Sequence, residues 1–417
     1  MVGIGQPEFI ELKEDCDGSS KKKNIKKQNR EPQGSEYEEA DFTRFQLCTV
    51  RCTAAAPSRL PKLRVLQWTS SSDGCLRRVA LMRISIDAMG GDFAPREIVA
   101  GTLRAAKDLQ GISKLFLVGD ETLIQAELRK HKGPVPPCVE IVHATEVVEM
   151  GESPAVAIRR KKDSSISRSI ELVKEGKADA IFSAGNTGAA VAAATLKLRT
   201  LEGVARPAIA TVMPTPVDPF VLLDAGANPD STPEMLQQYA VMGSIYSREI
   251  MGVSNPTVGL LSIGEEVAKG NETTKKTFGL LERSHLNFIG NVESGDLYGG
   301  NVNVAVCDGF VGNVVLKTSE AVARMIARWL KTMFRANPLR ILGALISRGV
   351  FKEMKSHADP SSYGGAPLLG ANGVVIIGHG SSNALATFNG IRVASEAIDH
   401  DVNHLIEAEL KRINTEI

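Results

Sequence analysis

The stretch Ala180-Ile181-Phe182-Ser183-Ala184-Gly185-Asn186-Thr187-Gly188 joins a short apolar run to a polar turn flanked by glycines. An alanine-rich segment, typical of a helix, comes directly after it. A buried strand, a turn and a helix in this order form the repeating unit of parallel α/β folds. The stretch therefore predicts a parallel sheet covered by helices, with a turn whose backbone N–H groups can approach an anion.

The same pattern recurs on both sides of this stretch. Apolar runs precede it at residues 84–87, 115–118 and 139–143, and helix-like segments follow the first two of them, at 95–109 and 123–130. Later apolar runs lie at residues 221–223, 258–263, 286–289, 304–307 and 374–377. This alternation predicts an α/β fold with parallel strands between layers of helices.

Six of the predicted strands end in glycine with small polar or acidic neighbours. The loops concerned are residues 87–91, 119–120, 183–188, 224–228, 264–266 and 308–309. Ligands of open parallel sheets bind beyond the carboxyl ends of the strands. Together the six loops predict one composite ligand-binding cleft.

Composition and charge narrow the class of protein. The chain has 417 residues, of which 43% are hydrophobic and 23% charged, and its formal net charge is +1. These values are typical of a globular protein and do not favour a nucleic-acid partner. No apolar run matches a signal peptide or the roughly 18 residues of a membrane span. None of the six cysteines forms a CxxC pair, so we expect a reducing, cytoplasmic location.

Residues 1–82 differ from the rest of the chain. They carry a basic cluster at 21–27, an acidic cluster at 36–41 and few apolar residues. This composition predicts a poorly ordered extension, followed by a folded domain at residues 83–417. The extension fits a targeting or interaction tail, a segment without a role, or a true start at Met82.

Ten motifs from about residue 83 to the C-terminus resemble, in order, those of the acyl-acyl-carrier-protein:phosphate acyltransferase family of bacterial phospholipid synthesis. They are 86–92 (IDAMGGD), 159–165 (RRKKDSS), 183–188 (SAGNTG), 223–228 (LDAGAN), 238–243 (QYAVMG), 269–272 (KGNE), 287–293 (NFIGNVE), 307–313 (CDGFVGN), 363–370 (YGGAPLLG) and 379–382 (HGSS).

The resemblance implies a Rossmann-like α/β/α sandwich, related to phosphotransacetylases and isocitrate-type dehydrogenases, that forms a homodimer. It implies transfer of a fatty acyl group from acyl carrier protein to inorganic phosphate. The acyl-phosphate product then feeds a glycerol-3-phosphate acyltransferase, for phosphatidic acid and phospholipid synthesis. A projecting helical hairpin at about residues 318–356 and weak peripheral contact with the inner face of the cell membrane are also implied.

Acyl transfer from a thioester to phosphate needs no side-chain nucleophile, because phosphate is itself an anionic nucleophile. The site needs donors that hold phosphate and stabilise charge on the carbonyl oxygen, and it needs no metal or cofactor. The resemblance assigns catalysis to Lys269 and Asn313. Lys269 also fits a solvated surface lysine, and Asn313 also fits the N-cap of the following helix.

The predicted substrate-binding positions lie mostly in the strand-end loops. The 185–188 turn suits a phosphate cradle, although helix capping by Asn186 is the alternative. At most two cations of the run 159–162 can point to one site, and a solvated face is the alternative there. Asp87 and Asp308 are better suited to ordering loops than to contact with an anion. His379 fits either a ligand-binding loop or a structural role. The predicted residues are Asp87, Gly90, Gly91, Arg160, Lys161, Ser183, Gly185, Asn186, Thr187, Gly188, Asn271, Asp308, Gly309 and His379.

The segment 339–352 is amphipathic. Leu339, Leu342, Ile346 and Val350 recur at helical spacing, next to basic residues. Such a segment fits the surface of an anionic membrane. A dimer-forming or core helix is the alternative.

Three other functions stay open at this point. A phosphotransacetylase that uses acyl-coenzyme A shares the fold and the reaction. A nicotinamide-dependent dehydrogenase shares the fold, but the loop 87–91 lacks the GxGxxG fingerprint. A non-catalytic scaffold that binds anions or lipids would require neither Lys269 nor Asn313.

Overall fold

The computed structural model of the protein describes residues 66–70, 76–358 and 360–416. Most of the predicted N-terminal extension, residues 1–65 and 71–75, lies outside these residues. The strands are β1 (Leu66–Ser70), β2 (Leu76–Ala80), β3 (Met82–Asp87), β4 (Ile112–Gly119), β5 (Val139–His143), β6 (Ala180–Ser183), β7 (Ala208–Ile209), β8 (Thr211–Met213), β9 (Phe220–Leu223), β10 (Thr257–Leu261), β11 (Asn287–Val292), β12 (Val304–Val306), β13 (Ala366–Leu369) and β14 (Val374–Ile377).

Helices connect most of these strands. They are α1 (Arg96–Asp108), α2 (Glu121–Lys130), α3 (Pro154–Arg160), α4 (Ser165–Lys174), α5 (Thr187–Ala193), α6 (Pro233–Glu249), α7 (Glu272–Glu282), α8 (Ser294–Leu297), α9 (Gly309–Phe334), α10 (Pro338–Ile346), α11 (Arg348–Ala358), α12 (Ala384–Asp399) and α13 (Val402–Glu416). One π-helical turn (Ala194–Leu198) extends α5, and β1 pairs with β2 as a separate antiparallel ribbon.

The larger sheet has the strand order β5-β4-β3-β6-β14-β13-β7, and its first five strands are parallel. Successive residues of β6 pack on opposite faces. Phe182 lies in an apolar cluster with residues of α1 and α12, whereas Ile181 packs with Ile170 of α4 and Ala190 of α5. Because helices cover both faces, residues 180–182 of the strand are all apolar rather than alternating with polar residues. The predicted α/β/α layering is therefore confirmed.

The smaller sheet has the order β11-β10-β12-β9-β8, with the first four strands parallel. Val304 packs on one face with Tyr239 of α6, and Ala305 packs on the other face with Leu297 of α8. Both sheets thus follow the strand-turn-helix pattern from which the fold is predicted, but the strands divide into two sheets.

Three short strands, β7, β8 and β13, are absent from the sequence-based prediction. Each pairs antiparallel with a neighbour, β13 with β14 and β7, and β8 with β9. They have only two to four residues, and β13 contains Pro367. Runs this short carry no periodicity, and a proline argues against a strand, so only long-range pairing identifies them.

The segment predicted to form a helical hairpin, at about residues 318–356, lies within three consecutive helices, α9, α10 and α11. Helix α9 begins at Gly309, and Ser347 separates α10 from α11. No helix of the described residues is long and apolar enough to cross a membrane.

Candidate active site

The loop after β9 is organised by the fully buried carboxylate of Asp224. Its Oδ1 accepts hydrogen bonds from the backbone N–H groups of Ile209 (3.0 Å), Gly226 (3.1 Å) and Ala227 (3.0 Å). Its Oδ2 accepts from the backbone N–H (2.7 Å) and the side-chain amide (3.1 Å) of Asn228. Burial raises the pKa of Asp224 above its usual range, while these N–H donors oppose the shift. Five donors on one side chain fix the loop as a rigid turn.

Helix α9 begins directly against this loop. A Cβ atom at Gly312 would overlap the carbonyl oxygen of Asp224, and one at Gly309 would lie 2.6 Å from the carbonyl oxygen of Asn228. Only glycine permits this approach. The side chain of Asn313 lies over Gly226, with its Cγ 3.5 Å from the position that a Cβ would take there. The loop therefore sets the position of Asn313, whose side chain is exposed.

Asn313 does not cap α9. The N-cap is Asp308, whose Oδ1 accepts from the N–H of Val311 at 2.8 Å. The capping alternative for Asn313 is therefore wrong, because the helix starts one turn earlier than the apolar pattern suggests. Asp308 orders the start of the helix, and Gly309 allows its close packing.

Lys269 lies in the loop between β10 and α7. Its aliphatic stem crosses Gly264, since a Cβ at that glycine would lie 2.8 Å from Lys269 Cγ. The backbone N–H of Lys269 donates to the carbonyl oxygen of Glu266 at 2.9 Å, and Asn291 Nδ2 donates to the same oxygen at 3.0 Å. Lys269 is exposed, and none of the ion pairs between described residues involves it. Its ammonium is thus held on a fixed loop and open to an anion.

Asn271 follows in the same loop as the N-cap of α7. Its Oδ1 accepts from the N–H of Thr274 at 2.8 Å. The side-chain oxygen therefore stabilises the helix terminus, and the residue fixes where α7 begins behind Lys269.

Lys269 and Asn313 lie at the same edge of the smaller sheet. Their loops follow β10 and β12, which are neighbouring parallel strands paired through Leu260 and Val306. Neighbouring strands lie about 5 Å apart, so loops that leave them at one edge adjoin each other. The sheet thus brings the two predicted catalytic residues to one side of the molecule.

In the larger sheet, Asp87 and Ser183 end the adjacent strands β3 and β6. Ser183 Oγ donates to Asp87 Oδ2 at 2.7 Å, and the N–H of Met89 donates to Asp87 Oδ1 at 3.2 Å. Burial raises the pKa of Asp87. A Cβ at Gly90 would lie 2.6 Å from the backbone nitrogen of Gly185, so the two turns touch. Asp87 and Ser183 therefore join the loops rather than face solvent.

Asn186 caps α5 and also holds a neighbouring loop. Its Oδ1 accepts from the N–H of Ala189 at 3.0 Å, and its Nδ2 lies 3.0–3.3 Å from the carbonyl oxygens of Glu149, Met150 and Glu152. Both the oxygen and the nitrogen of the Asn186 side chain therefore form hydrogen bonds that hold the fold together. Thr187 is exposed at the first position of the helix, and a Cβ at Gly188 would meet the ring of Pro154.

Arg160 and Lys161, two basic residues at the end of α3, differ in their surroundings. Lys161 Nζ donates to the carbonyl oxygen of Val147 at 2.7 Å and pairs with Glu152. This ammonium therefore holds the same loop that Asn186 holds. Arg160 is exposed.

His379 lies in the loop after β14. Its Nδ1 is 2.7 Å from Ser381 Oγ and accepts from the N–H of Ser381 at 3.2 Å. The next carbonyl, of Gly380, accepts from the N–H of Asp92 at 2.7 Å, and Gly91 approaches the same oxygen. His379 is thus exposed beside the Gly90-Gly91 turn.

The loops of the two sheets adjoin. Ala225, next to Asp224, packs in an apolar cluster with Ala189 and Ala190 of α5 and Ile377 of β14. The Asp224 loop, over which the Asn313 side chain lies, therefore packs in the same cluster as the helix that follows the Gly185–Gly188 turn. Within the described residues, no group of three His, Cys, Asp or Glu side chains forms a potential metal site.

Most of the chain is similar in sequence to known proteins. Residues 82–405 match the family model described as fatty acid synthesis protein. A phosphate acyltransferase of Desulfitobacterium hafniense is 53% identical over 332 residues, which cover 79% of this chain and 98% of that protein. A phosphate acyltransferase of Pelotomaculum thermopropionicum is 50% identical over 333 residues, which cover 80% and 96%. The chain belongs to the phosphate acyltransferase family.

The predicted membership of the phosphate acyltransferase family is confirmed by these relatives. Among solved structures, a phosphotransacetylase from Streptococcus pyogenes has a TM-score of 0.50 and 19% identity, covering 76% of this chain and 94% of that chain. At this identity the likeness concerns the fold alone. It agrees with the predicted phosphotransacetylase-type fold.

Sequence reasoning missed several residues that shape this candidate site. Asp224 and Gly226 support Asn313, and Asn291 supports the turn of Lys269. All three lie within the family motifs at 223–228 and 287–293. The sequence pattern that indicates such a loop is an apolar strand followed by Asp-Ala-Gly-Ala-Asn. In this pattern one carboxylate can accept hydrogen bonds from several successive backbone N–H groups.

Proposed function

We propose that this chain transfers a fatty acyl group from acyl carrier protein to inorganic phosphate in the cytoplasm, producing acyl-phosphate for phosphatidic acid and phospholipid synthesis. Membership of the phosphate acyltransferase family supplies the reaction class. The observation that carries the assignment of the site is the exposed ammonium of Lys269, held on a fixed loop at the same sheet edge as Asn313.

The proposed reaction is a direct attack. A phosphate oxygen forms a bond to the thioester carbonyl carbon, the carbon–sulfur bond breaks, and the thiolate leaves and takes a proton from solvent. The Lys269 ammonium attracts the phosphate and stabilises charge on the carbonyl oxygen. The Asn313 amide donates a hydrogen bond to that oxygen. Groups fixed before the reaction stabilise charge without reorganising, which is the main source of catalysis in such sites.

The glycine turns of the larger sheet complete the proposed phosphate site. Gly90, Gly91 and Gly185 allow these turns to pack closely against each other and the His379 loop, and Thr187 is exposed at the start of α5. Arg160 and His379 are exposed and available to substrate. Asp87, Ser183, Asn186 and Lys161 contribute by holding these loops, as their hydrogen bonds indicate.

The helical hairpin supports two further parts of the proposal. Helix α9 exposes Ile326, Trp329 and Met333, which suit contact between two copies in a homodimer. Helix α10 exposes Leu339, Leu342, Leu345 and Ile346 close to Arg340 and Arg348. An exposed apolar face next to cations suits weak contact with the anionic inner face of the cell membrane, where a glycerol-3-phosphate acyltransferase would consume the product. The cations also suit the acidic acyl carrier protein.

The test is release of carrier thiol from palmitoyl-acyl carrier protein, with and without phosphate, together with detection of acyl-phosphate. We expect Lys269→Ala to lower kcat about 10²–10³-fold, the usual effect of losing one oxyanion donor. Lys275→Ala, an exposed lysine on α7, is the matched control and should retain activity.

Palmitoyl-coenzyme A runs in parallel to separate the alternatives. A higher kcat/KM with coenzyme A than with the carrier protein would identify a phosphotransacetylase instead. Absence of phosphate-dependent release from either donor would contradict enzymatic function and favour an anion- or lipid-binding scaffold.

A further inference from the structure

Four large apolar side chains are exposed around the proposed catalytic pair. Ile263 and Val267, on the loop of Lys269, are 81% and 61% exposed. Phe310 and Val314, in the first turns of α9, are 66% and 50% exposed. Exposed apolar groups that cluster, rather than occur singly, mark binding surfaces.

Sheet register brings the two pairs together. In β10 and β12, Leu260 is opposite Val306. Strand β10 ends at Leu261 and β12 at Val306, and α9 begins at Gly309. Neighbouring parallel strands are separated by about 5 Å, so the loop that carries Ile263 and the first turn of α9, which carries Phe310, follow adjacent strand ends.

Each pair also lies next to its catalytic residue. Gly264, which follows Ile263, contacts the stem of Lys269. On α9, Phe310, Asn313 and Val314 are separated by three and four positions. Residues three and four positions apart share one face of a helix, so Phe310 lies next to both Asn313 and Val314 on the surface of α9.

We propose that Ile263, Val267, Phe310 and Val314 form an acyl-binding rim that holds the carbons of the fatty acyl chain next to the thioester. This inference rests on the proposed function and deepens it, since it assigns the determinants of acyl-chain preference. Polar donors in the middle and apolar side chains around them match a thioester carbonyl with an alkyl chain attached. The rim makes long acyl donors better substrates than short ones by removing alkyl surface from water.

The experiment compares kcat/KM for palmitoyl- and butyryl-acyl carrier protein in Ile263→Ser, Phe310→Ala and the double variant. We expect the ratio of palmitoyl to butyryl values to fall about tenfold in each single variant, which corresponds to about 1.4 kcal/mol of lost acyl-chain binding. The lower kcat/KM for the palmitoyl donor should result from a higher KM. Val217→Ser is the matched control: Val217 is 67% exposed in the β8–β9 turn, at the opposite edge of the sheet.

An unchanged ratio in the double variant would overturn the rim. A change from dimer to monomer by light scattering, with equal losses for both donors, would overturn it as well, because these side chains would then serve contact between copies. The proposed function and the rim fail in different ways: absence of phosphate-dependent thiol release by the wild type contradicts the proposed function, whereas an unchanged chain-length ratio in an active double variant contradicts only the rim.

Discussion

Replacing Asp224 by asparagine removes a negative charge without changing the shape of the side chain. In the native protein, three N–H groups point at Oδ1 and two at Oδ2. Whichever way the new amide is oriented, its NH₂ group replaces an oxygen that accepts at least two hydrogen bonds. Two donors then face another donor inside the protein.

The expected cost follows from these contacts. An unsatisfied buried donor costs about 1–3 kcal/mol, so two donors cost about 2–6 kcal/mol. Burial raises the pKa of Asp224, and loss of the buried charge therefore offsets part of this cost. We expect the free energy of unfolding to fall by about 2–4 kcal/mol. Because Asn313 lies on Gly226, a shifted loop should also lower kcat by about 10²-fold, the usual effect of a displacement near 1 Å.

Urea unfolding followed by circular dichroism gives the first quantity, and phosphate-dependent thiol release gives the second. Asp120→Asn is the control, because Asp120 caps α2 through a hydrogen bond from Leu123 and asparagine caps equally well. The control should stay within about 0.5 kcal/mol of the wild type. If Asp224→Asn matches the control in both stability and kcat, the carboxylate does not organise the site as described.

Three further perturbations test other parts of the structure. Gly312→Ala forces a Cβ onto the carbonyl oxygen of Asp224, so it should lower the free energy of unfolding by about 1–3 kcal/mol and also lower kcat. Gly343→Ala in α10 is the control, because a Cβ there meets nothing within 4 Å and should not destabilise the fold. Equal effects of the two variants would refute the packing argument. Asn186→Ala loses both a helix cap and the loop carbonyls, so urea unfolding should show a loss of about 2–3 kcal/mol, against about 1 for the cap-only variant Asn383→Ala; equal losses would mean that the loop contacts contribute nothing. Hydrogen bonds from Thr145 and Arg168 lower the pKa of Asp163 to about 2. The ionised carboxylate therefore adds to the free energy of unfolding above about pH 4, and this stabilisation is lost as pH falls through about 2. Asp163→Asn should therefore destabilise by about 1–2 kcal/mol at pH 7, after allowance for solvent screening, and unfolding free energies of the two proteins should converge toward pH 2; a difference independent of pH would contradict this.

Local sequence determined where most strands lie. The runs at 84–87, 115–118, 180–183 and 304–307 all contain buried parallel strands, and the run at 139–143 becomes a partly exposed parallel strand at the edge of the larger sheet. Such runs are predictable because a strand covered on both faces is apolar at most of its positions, and this property can be read from consecutive residues. The family motifs likewise contain the candidate site residues, since Lys269 precedes Gly270 and Asn313 follows Gly312.

Tertiary structure alone decided the division of the strands into two sheets and the roles of individual polar side chains. Asp87 bonds to Ser183, which is 96 positions away, and Asp224 accepts from Ile209 as well as from its own loop. Asp308 rather than Asn313 caps α9, and the Lys161 ammonium is held by the carbonyl of Val147. Hydropathy reports only whether a residue is buried, whereas a hydrogen bond depends on which distant groups the folded chain brings within about 3 Å.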